Sequence, residues 1–390
     1  MSRNDFNKVY LDYNATTPVD QRVLQAMLPA YTTTFGNPSS ENTFGADASV
    51  LVDKAREQAA QLIAGAPRNI IFTSGATEGC NLAIKGAAQA YASRGNHIIV
   101  SAVEHKAVLE PCRRLAASGC ELTVLRPDSA GRILPQQVSD AVNQHTILVC
   151  VMMANNIIGT INPVDEIGEV CKKRGVVFFC DATQAAGKIP VDAERIGADL
   201  MVMSSHKMYG PKGAGALYIR QKNPRIRLVP QIDGGGQEYG LRSGTLNVPG
   251  IVGFGAACEL CKNLMSEESV KICRLRDRLE DGLLQGIPDI VINGRCSQRI
   301  PNTSNVLFKG IDAQALLKSI SEIAVSMGSA CEAGGFETSY VLSAIGISHE
   351  AALSSVRFSL GRFTTEEQID FTVDRVVCAV NKLKSETVSQ

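Results

Sequence analysis

The sequence predicts an α/β protein with a large, mostly parallel, doubly wound seven-stranded sheet and a smaller α+β C-terminal domain. Two observations lead to this fold class. Short β-branched runs alternate with helical patterns between about residues 47 and 220, as expected for repeated strand–helix units. A Gly- and Pro-rich stretch at 222–255 then separates this region from a long helical pattern and several shorter elements.

Each predicted strand of the sheet is a short apolar run. Because these runs are apolar throughout instead of alternating, we expect both faces of the strands to be buried. The seven predicted strands are 69–73, 97–101, 121–125, 146–152, 176–181, 199–204 and 214–219. The helical patterns between them include 47–64, 78–92 and 163–173.

The C-terminal part of the chain has a different pattern, and the boundary is expected near residues 255–260. A long helix is predicted over about 252–284, with shorter elements at 304–308, 313–321, 324–326 and 356–360. The last helix is expected to start at Thr364, with Glu367 completing a capping box. Its apolar stripe consists of Ile369, Val373, Val376, Val377 and Val380.

The composition favours a globular protein. The 39 basic and 39 acidic residues among 390 cancel, which argues against binding nucleic acid or an anionic membrane through bulk charge. The longest apolar run, 147–154, is far shorter than the ~20 residues that a transmembrane helix needs. The N-terminal residues show no targeting segment. We therefore expect a cytoplasmic protein without a direct nucleic-acid or membrane partner.

The 12 cysteines are scattered at irregular spacings. Free thiols in a reducing compartment explain this pattern better than a disulfide framework does. Cys258 and Cys261 form a CxxC in a helical pattern, with no second pair and no nearby histidine. Packing in a helix is favoured over a zinc site there, so no metal is predicted.

Polar side chains follow three predicted strands at the points where the strands end. Ser74-Gly75-Ala76-Thr77 opens a helix, and free N–H groups at such a turn can cradle a phosphate. Asp181 follows a second strand and Lys207 a third. Taken singly, each has a plain structural explanation: a helix cap for the turn and for Asp181, a surface lysine for Lys207.

The combination of the three groups points to a cofactor. A lysine after a buried strand can be desolvated, which lowers its pKa and favours a Schiff base. In parallel sheets, ligands lie beyond the carboxyl ends of the strands. A phosphate cradle, a lysine and a carboxylate there match the needs of pyridoxal 5'-phosphate: a covalent bond, a protonated pyridine nitrogen and a held phosphate.

The order of motifs along nearly the whole chain resembles the cysteine desulfurases of the aminotransferase class V group. Those are fold-type I pyridoxal-phosphate transferases, and the chain is most similar to the subgroup with a long catalytic loop, which includes the housekeeping iron–sulfur assembly enzyme. The motifs are YLDYNATTP at 10–18, FGNPSS at 35–40, FTSGATE at 72–78, EHKAV at 104–108, DATQ at 181–184, SSHK at 204–207, RSGTL at 242–246, GSAC at 328–331 and RFSLGR at 357–362.

The resemblance implies roles for individual residues. Lys207 would form the covalent bond to the cofactor, Asp181 would pair with the ring nitrogen, and Gln184 with the ring hydroxyl. His105 would stack on the ring and act as an acid or base. Asn156 and Arg357 would bind the substrate carboxylate, for which a guanidinium is suited. The phosphate would be held by Ala76, Thr77, Ser204, His206 and, from the partner subunit of a homodimer, Thr245.

The resemblance also implies the division of the chain and the nucleophile. A large cofactor-binding domain would span 13–257, and a small domain of 1–12 and 258–390 would carry the catalytic loop. Cys331 would be the nucleophile on that loop. Glycines flank it, which favours an accessible thiol over a small buried hydrophobe.

The implied activity is removal of sulfur from L-cysteine, giving L-alanine and a Cys331 persulfide for a sulfur-acceptor protein. Relatives serve iron–sulfur assembly, tRNA thiolation and DNA phosphorothioation, and the sequence does not choose among these acceptors. Three alternatives stay open: a selenocysteine lyase or other β-eliminating lyase, a non-catalytic adaptor of the same fold, and a metal-binding scaffold built on the cysteines.

Overall fold

The computed structural model describes residues 8–222, 225–327 and 339–388. The strands are β1 Val9–Tyr10, β2 Ile70–Thr73, β3 His97–Ser101, β4 Glu121–Leu125, β5 Thr146–Cys150, β6 Val177–Asp181, β7 Leu200–Ser204, β8 Gly215–Ile219, β9 Ile290–Asn293, β10 Thr303–Phe308, β11 Ile323–Ala324 and β12 Ser355–Ser359. The helices are α1 Gln21–Thr32, α2 Thr43–Leu62, α3 Ala76–Ala90, α4 Lys106–Ala117, α5 Pro135–Ala141, α6 Val164–Arg174, α7 Ala193–Ile196, α8 Val248–Gly286, α9 Ala313–Ser319, α10 Tyr340–Ala344, α11 His349–Leu353 and α12 Glu366–Val388.

The central sheet has seven strands in the order β2-β8-β7-β6-β5-β3-β4. Neighbours from β7 to β4 are parallel, whereas β8 runs antiparallel to both β2 and β7. The predicted mostly parallel α/β fold is therefore confirmed. Because β2, β3, β6 and β7 all point the same way, the residues that follow them meet at one edge of the sheet.

Both faces of the sheet are covered, as the apolar strands predicted. Phe178 packs with Val52 of α2 and Phe254 of α8 in one hydrophobic cluster. Its neighbour Phe179 belongs to a second cluster, together with Ile84 of α3. Successive residues of β6 thus face opposite layers of helices, which is the doubly wound arrangement.

Strand β4 is an exception to the expected burial. It lies at the edge of the sheet and pairs only with β3. Glu121 and Val124 are exposed, and Leu125 is its one buried residue. The expectation that this strand is buried on both faces was wrong, because the helix layers leave β4 partly uncovered, whereas they bury all four residues of the other edge strand, β2.

The C-terminal part forms its own hydrophobic cluster around a three-stranded antiparallel sheet, β12-β10-β9. The 39-residue helix α8 joins the two parts. Phe254 and Cys258 belong to the cluster under the central sheet, whereas Leu275 and Leu279 belong to the C-terminal cluster. The predicted boundary at 257/258 falls within this continuous helix and stays a prediction.

The start of α12 differs from the sequence-based expectation by one residue. The capping box joins Thr365 and Gln368: the Gln368 N–H donates to Thr365 Oγ1, and the Thr365 N–H donates to Gln368 Oε1. Thr364 instead accepts a hydrogen bond from the Gly361 N–H. Thr364 with Glu367 was therefore the wrong pair, because a second threonine follows directly. The predicted stripe does pack in the C-terminal cluster.

Cys258 and Cys261 are buried in α8 as free thiols. The other buried cysteines that the structure describes lie in other elements and are also free thiols. The residues that the structure describes contain no grouping of three His, Cys, Asp or Glu side chains able to hold a metal ion. Within those same ranges, every helix is too short or too polar to cross a bilayer.

Candidate active site

A cavity of about 540 Å³ lies at the edge where β2, β3, β6 and β7 end. Most of the residues predicted for the site meet there. From the predicted set, the cavity is lined by Ala76, Thr77, His105, Asn156, Asp181, Gln184, Ser204, His206 and Lys207. It is also lined by Asn14, Ala15, Thr16, Ser74, Gly75, Glu78, Ala107, Met152, Thr183, Lys212 and Gly213, to which the sequence assigned no individual role.

Lys207 ends a short 3₁₀ turn that follows β7. Its Nζ donates to the carbonyl oxygens of Asn14 at 2.7 Å and Ala15 at 2.6 Å. Burial and the nearby charge of Arg357 lower the pKa of this amine to about 8. Because the neutral amine is the nucleophile, the lowered pKa leaves about one tenth of Lys207 ready to react at pH 7, far more than for an ordinary lysine.

Asp181 is the last residue of β6 and is buried. Its Oδ1 accepts the Thr183 N–H at 2.8 Å, which fixes the carboxylate at the wall of the cavity. A fixed, buried carboxylate is suited to a cationic N–H donor in the bound molecule.

His105 caps the N-terminus of α4, and its Nδ1 accepts the Ala107 N–H at 3.1 Å. The ring proton of the neutral imidazole therefore lies on Nε2. Burial lowers the pKa of His105, aided by Lys207 and opposed by Asp181. The neutral tautomer at neutral pH leaves Nε2–H as a proton donor.

The turn at the start of α3 has the features of an anion cradle. Gly75 adopts a φ of 152°, in a region that side-chain-bearing residues rarely occupy. The Ser74 N–H is held by Glu78 Oε2 at 2.8 Å, and the N–H groups of the first turn of the 15-residue helix α3 follow it. An anion bound here would also meet the favourable end of the helix dipole.

Two side chains from the end of β7 complete this side of the cavity. Ser204 lies behind the turn: a Cβ on Gly75 would be 3.8 Å from its Oγ. His206 Nδ1 is 3.2 Å from Thr16 Oγ1. Burial and the charges of Lys207 and Lys212 lower the pKa of His206 to about 4, so its ring is neutral at neutral pH and offers a donor without a charge.

The predicted substrate-binding pair is joined in the structure. Arg357 Nη1 donates to the Asn156 carbonyl at 3.0 Å, and Arg357 Nη2 to Asp12 Oδ1 at 2.6 Å. Asn156 lines the cavity, whereas Arg357 lies behind it. The buried Arg357 Nε and Asn156 Oδ1 have no hydrogen-bond partner within the described residues.

The remaining predicted residues lie outside the cavity or outside the described chain. Thr245 is exposed and does not line the cavity of its own subunit. Cys331 lies outside the described residues. The two described ends of the segment that contains it are attached to the site, since Ser326 pairs with Arg357 and the Tyr340 hydroxyl donates to the Glu104 carbonyl, next to His105.

The residues present fit pyridoxal phosphate. The cavity combines a reactive amine, a buried carboxylate and a helix N-terminus suited to a phosphate. Two buried polar atoms in its wall, Asn156 Oδ1 and Thr183 Oγ1, lack partners in the described chain, and buried polar atoms of this kind call for a ligand or water.

Residues 9–371 match the aminotransferase class-V family. The chain belongs to this family. It is 50% identical over 377 residues to the cysteine desulfurase IscS of Anaeromyxobacter sp. (strain Fw109-5), with 96% of this chain and 93% of that protein covered. The family resemblance drawn from the sequence motifs is thus confirmed.

Two solved structures are similar to this chain over nearly its whole length. A NifS-like protein of 37% identity superposes with a TM-score of 0.90 over 96% of this chain and 100% of its own. SspA in complex with cysteine, at 35% identity, gives a TM-score of 0.80 over 92% of this chain and all of that one.

Asn14 was missed as an individual residue, although it lies in the motif at 10–18. Its main-chain carbonyl accepts from both Lys207 Nζ, at 2.7 Å, and Gln184 Nε2, at 3.0 Å. Main-chain acceptors carry no side-chain signal, so residue type alone could not identify it. Lys188, which donates a hydrogen bond to the Gln184 side chain, was missed as well. Its position four residues after Gln184 was the sequence feature that could have indicated this contact.

Proposed function

We propose that this protein is an L-cysteine desulfurase that binds pyridoxal 5'-phosphate covalently at Lys207. The single observation that carries the proposal is the Lys207 amine, desolvated at the end of β7, in one cavity with the Asp181 carboxylate and the His105 ring. The names of the relatives, cysteine desulfurase IscS and SspA in complex with cysteine, support L-cysteine as the substrate.

When bound, pyridoxal phosphate supplies an electron-accepting ring that acidifies the α-hydrogen of an amino acid. Asp181 would hold the ring nitrogen in its protonated form, and Gln184 would donate to the ring hydroxyl. Ala76 and Thr77 at the start of α3 would hold the phosphate together with Ser204 and His206. All of these residues line the same cavity.

Lys207 moves protons as well as holding the cofactor. Its amine donates to two carbonyl oxygens, which would hold it at the cavity wall whenever it is not bonded to the cofactor. With a pKa of about 8, the freed amine can take the proton from the substrate α-carbon. His105, with its proton on Nε2, can give a proton to a departing group or accept one from a thiol.

Asn156 and Arg357 would bind the substrate carboxylate. Within the described residues the buried Arg357 Nε has no hydrogen-bond partner, so it has an N–H to offer a carboxylate, whereas Asn156 would donate from its Nδ2 amide. Arg357 is held by Asp12, so carboxylate binding would draw on the guanidinium hydrogens that Asp12 leaves free.

In the overall reaction the thiol of Cys331 takes the sulfur of L-cysteine. The C–S bond of the substrate breaks, an S–S bond to Cys331 forms, and the products are L-alanine and a Cys331 persulfide, so that atoms and electrons balance. A sulfur-acceptor protein then receives the terminal sulfur. The cytoplasmic location and the absence of a direct nucleic-acid partner stay predictions.

We also infer that the protein is a homodimer. Thr245 is exposed and lies outside its own cavity, although Arg242, three residues earlier, donates to the cavity residue Glu78 at 2.8 Å. This position suits a side chain that completes the site of a partner subunit. Light scattering is expected to give the mass of a dimer, and a monomer would contradict the inference.

The proposed function is tested by separating cofactor binding from sulfur transfer. Wild-type protein supplied with pyridoxal phosphate is expected to show a visible absorbance band that Lys207→Ala loses. Cys331→Ser is expected to retain the band but to form no alanine from cysteine. Cys378→Ser, at an exposed free cysteine, is the matched control and should retain full turnover.

Turnover of cysteine by Cys331→Ser at the wild-type rate would exclude the persulfide step, and pyruvate, ammonia and sulfide as its products would favour a β-eliminating lyase. A wild-type protein that binds cofactor but forms no alanine would favour the non-catalytic adaptor. A colourless wild-type protein would refute the whole proposal.

A further inference from the structure

Lys188 lies behind the wall of the cavity and belongs to none of the predicted roles. It follows β6 in the turn that begins at Asp181, and its Nζ donates to Gln184 Oε1 at 2.6 Å and to the Gln184 main-chain carbonyl at 3.2 Å. Its environment includes the positive charges of Lys207 and Arg357 and the thiol of Cys261. Glu268 lines the same small pocket.

This environment is unfavourable for an ammonium group. Burial, together with the charge of Lys207, lowers the pKa of Lys188 to about 7. A surface lysine would avoid both effects. The hydrogen bonds to Gln184 offset part of this cost and hold the amine beside the side-chain amide.

The hydrogen bonds around Gln184 fix which way its amide points. The amide oxygen accepts from Lys188, and Nε2 donates to the Asn14 carbonyl at 3.0 Å. A flipped amide would place its oxygen against the Asn14 carbonyl and, when the Lys188 amine is protonated, its NH₂ against an ammonium group, so that both contacts would be repulsive. Only one orientation satisfies both neighbours.

In that orientation the amide has one N–H left, and Gln184 lines the cavity. The cavity therefore offers a donor, and not an acceptor, at this point of its wall. A donor stabilises an anionic oxygen in a bound molecule, whereas a carbonyl oxygen would repel it.

We propose that Lys188 is a positioning residue that locks the Gln184 amide with its N–H toward the cavity, where it donates to the phenolate oxygen of the cofactor ring. This inference rests on the proposed function. Lys188 itself touches neither substrate nor cofactor. It acts through Gln184 and Asn14, whose carbonyl also accepts from the Lys207 amine.

The expected consequence is a shift in the protonation of the bound cofactor. Loss of the fixed donor destabilises the phenolate. The pH at which the bound cofactor is half protonated, followed by its visible absorbance, is therefore expected to rise by about 0.5 to 1 pH unit in Lys188→Met. Lys188→Arg, which retains a charged donor, should bring the midpoint most of the way back to the wild-type value. Lys173→Met, at an exposed helix lysine, is the matched control and should leave the midpoint unchanged.

A double-mutant cycle separates positioning from the simple loss of a nearby charge. If Lys188 acts through the amide, Lys188→Met will shift the midpoint in the wild type but not in a Gln184→Leu background. An equal shift in both backgrounds, or no shift in either, would overturn the inference while leaving the proposed function intact. A wild-type protein without a visible band would overturn both. Lys188→Ala replaces Lys188→Met in the cycle if the latter does not fold.

Discussion

Two amines near the cavity, those of Lys207 and Lys188, lie where burial disfavours the charged form. The two are joined through Gln184 and the Asn14 carbonyl. Lys207 faces the cavity, whereas Lys188 lies one hydrogen bond behind it. The same desolvation therefore makes one amine reactive and leaves the other as a donor to an amide.

The lowered pKa of Lys207 predicts how cofactor capture depends on pH. Below its pKa the amine is protonated and cannot attack an aldehyde; above it the amine is neutral. The rate at which cofactor-free protein binds pyridoxal phosphate covalently should rise about tenfold per pH unit and level off above pH about 8.

Stopped-flow absorbance over a pH series measures this rate, with Lys207→Ala as the unreactive control. A rate that keeps rising to the ordinary lysine pKa of 10.5 would show that the amine is not desolvated in solution.

At the scale of elements, a buried ion pair fastens α2 to β2 and to the turn at Glu238–Gly240. Arg56 of α2 contacts both carboxylate oxygens of Glu238, at 2.7 and 2.9 Å, and the carbonyl of Ile70 at 2.6 Å. Glu238 Oε2 also accepts the Phe72 N–H at 2.7 Å. Because β2 leads into the turn proposed to hold the phosphate, this pair supports the position of that turn.

Removal of Arg56 is expected to be strongly destabilising. Arg56→Met would leave the Glu238 carboxylate, whose side chain is 1% exposed, buried without its partner. The expected loss is about 3–5 kcal/mol in the free energy of unfolding, measured by urea denaturation.

Arg113→Met is the matched control, because Arg113 forms an exposed helix pair with Glu110; its loss should stay below about 1 kcal/mol. Equal losses in the two variants would mean that the Arg56–Glu238 pair does not stabilise the fold.

At the scale of the whole molecule, α8 joins the two hydrophobic clusters, and contacts around its middle reinforce the junction. Glu268 of α8 receives a hydrogen bond from the Arg362 guanidinium, which also pairs with Asp20 at 2.8 Å. Ser269 of the same helix donates to the Lys188 carbonyl at 2.7 Å. The middle of α8 therefore holds the central sheet, the C-terminal sheet and the start of α1 together.

A helix break at this point tests that role. Glu267 is exposed in the middle of α8, so Glu267→Ala should change stability little. Glu267→Pro removes a helical N–H and clashes with the preceding turn, and it should cost about 3 kcal/mol or more. Urea unfolding followed by circular dichroism measures both variants. Equal stability of the proline and alanine variants would show that the continuity of α8 is dispensable.

The sequence by itself determined the fold class, all seven strands of the main sheet to within two residues, and the chemistry of the strand ends. Periodicity and turn residues are local properties, so Asp181 and Lys207 could be assigned to strand ends from the chain alone. The α+β character of the C-terminal part and nine of the 20 residues that line the cavity were also expected from the sequence.

The tertiary structure alone decided the strand order, the reversal of β8 and the exposure of β4. It also decided that Asp12 meets Arg357 across 345 residues, and that Lys188 and Asn14 hold Gln184 between them. These features depend on which distant surfaces come together and on main-chain carbonyls that every residue possesses. A local pattern contains no information about either.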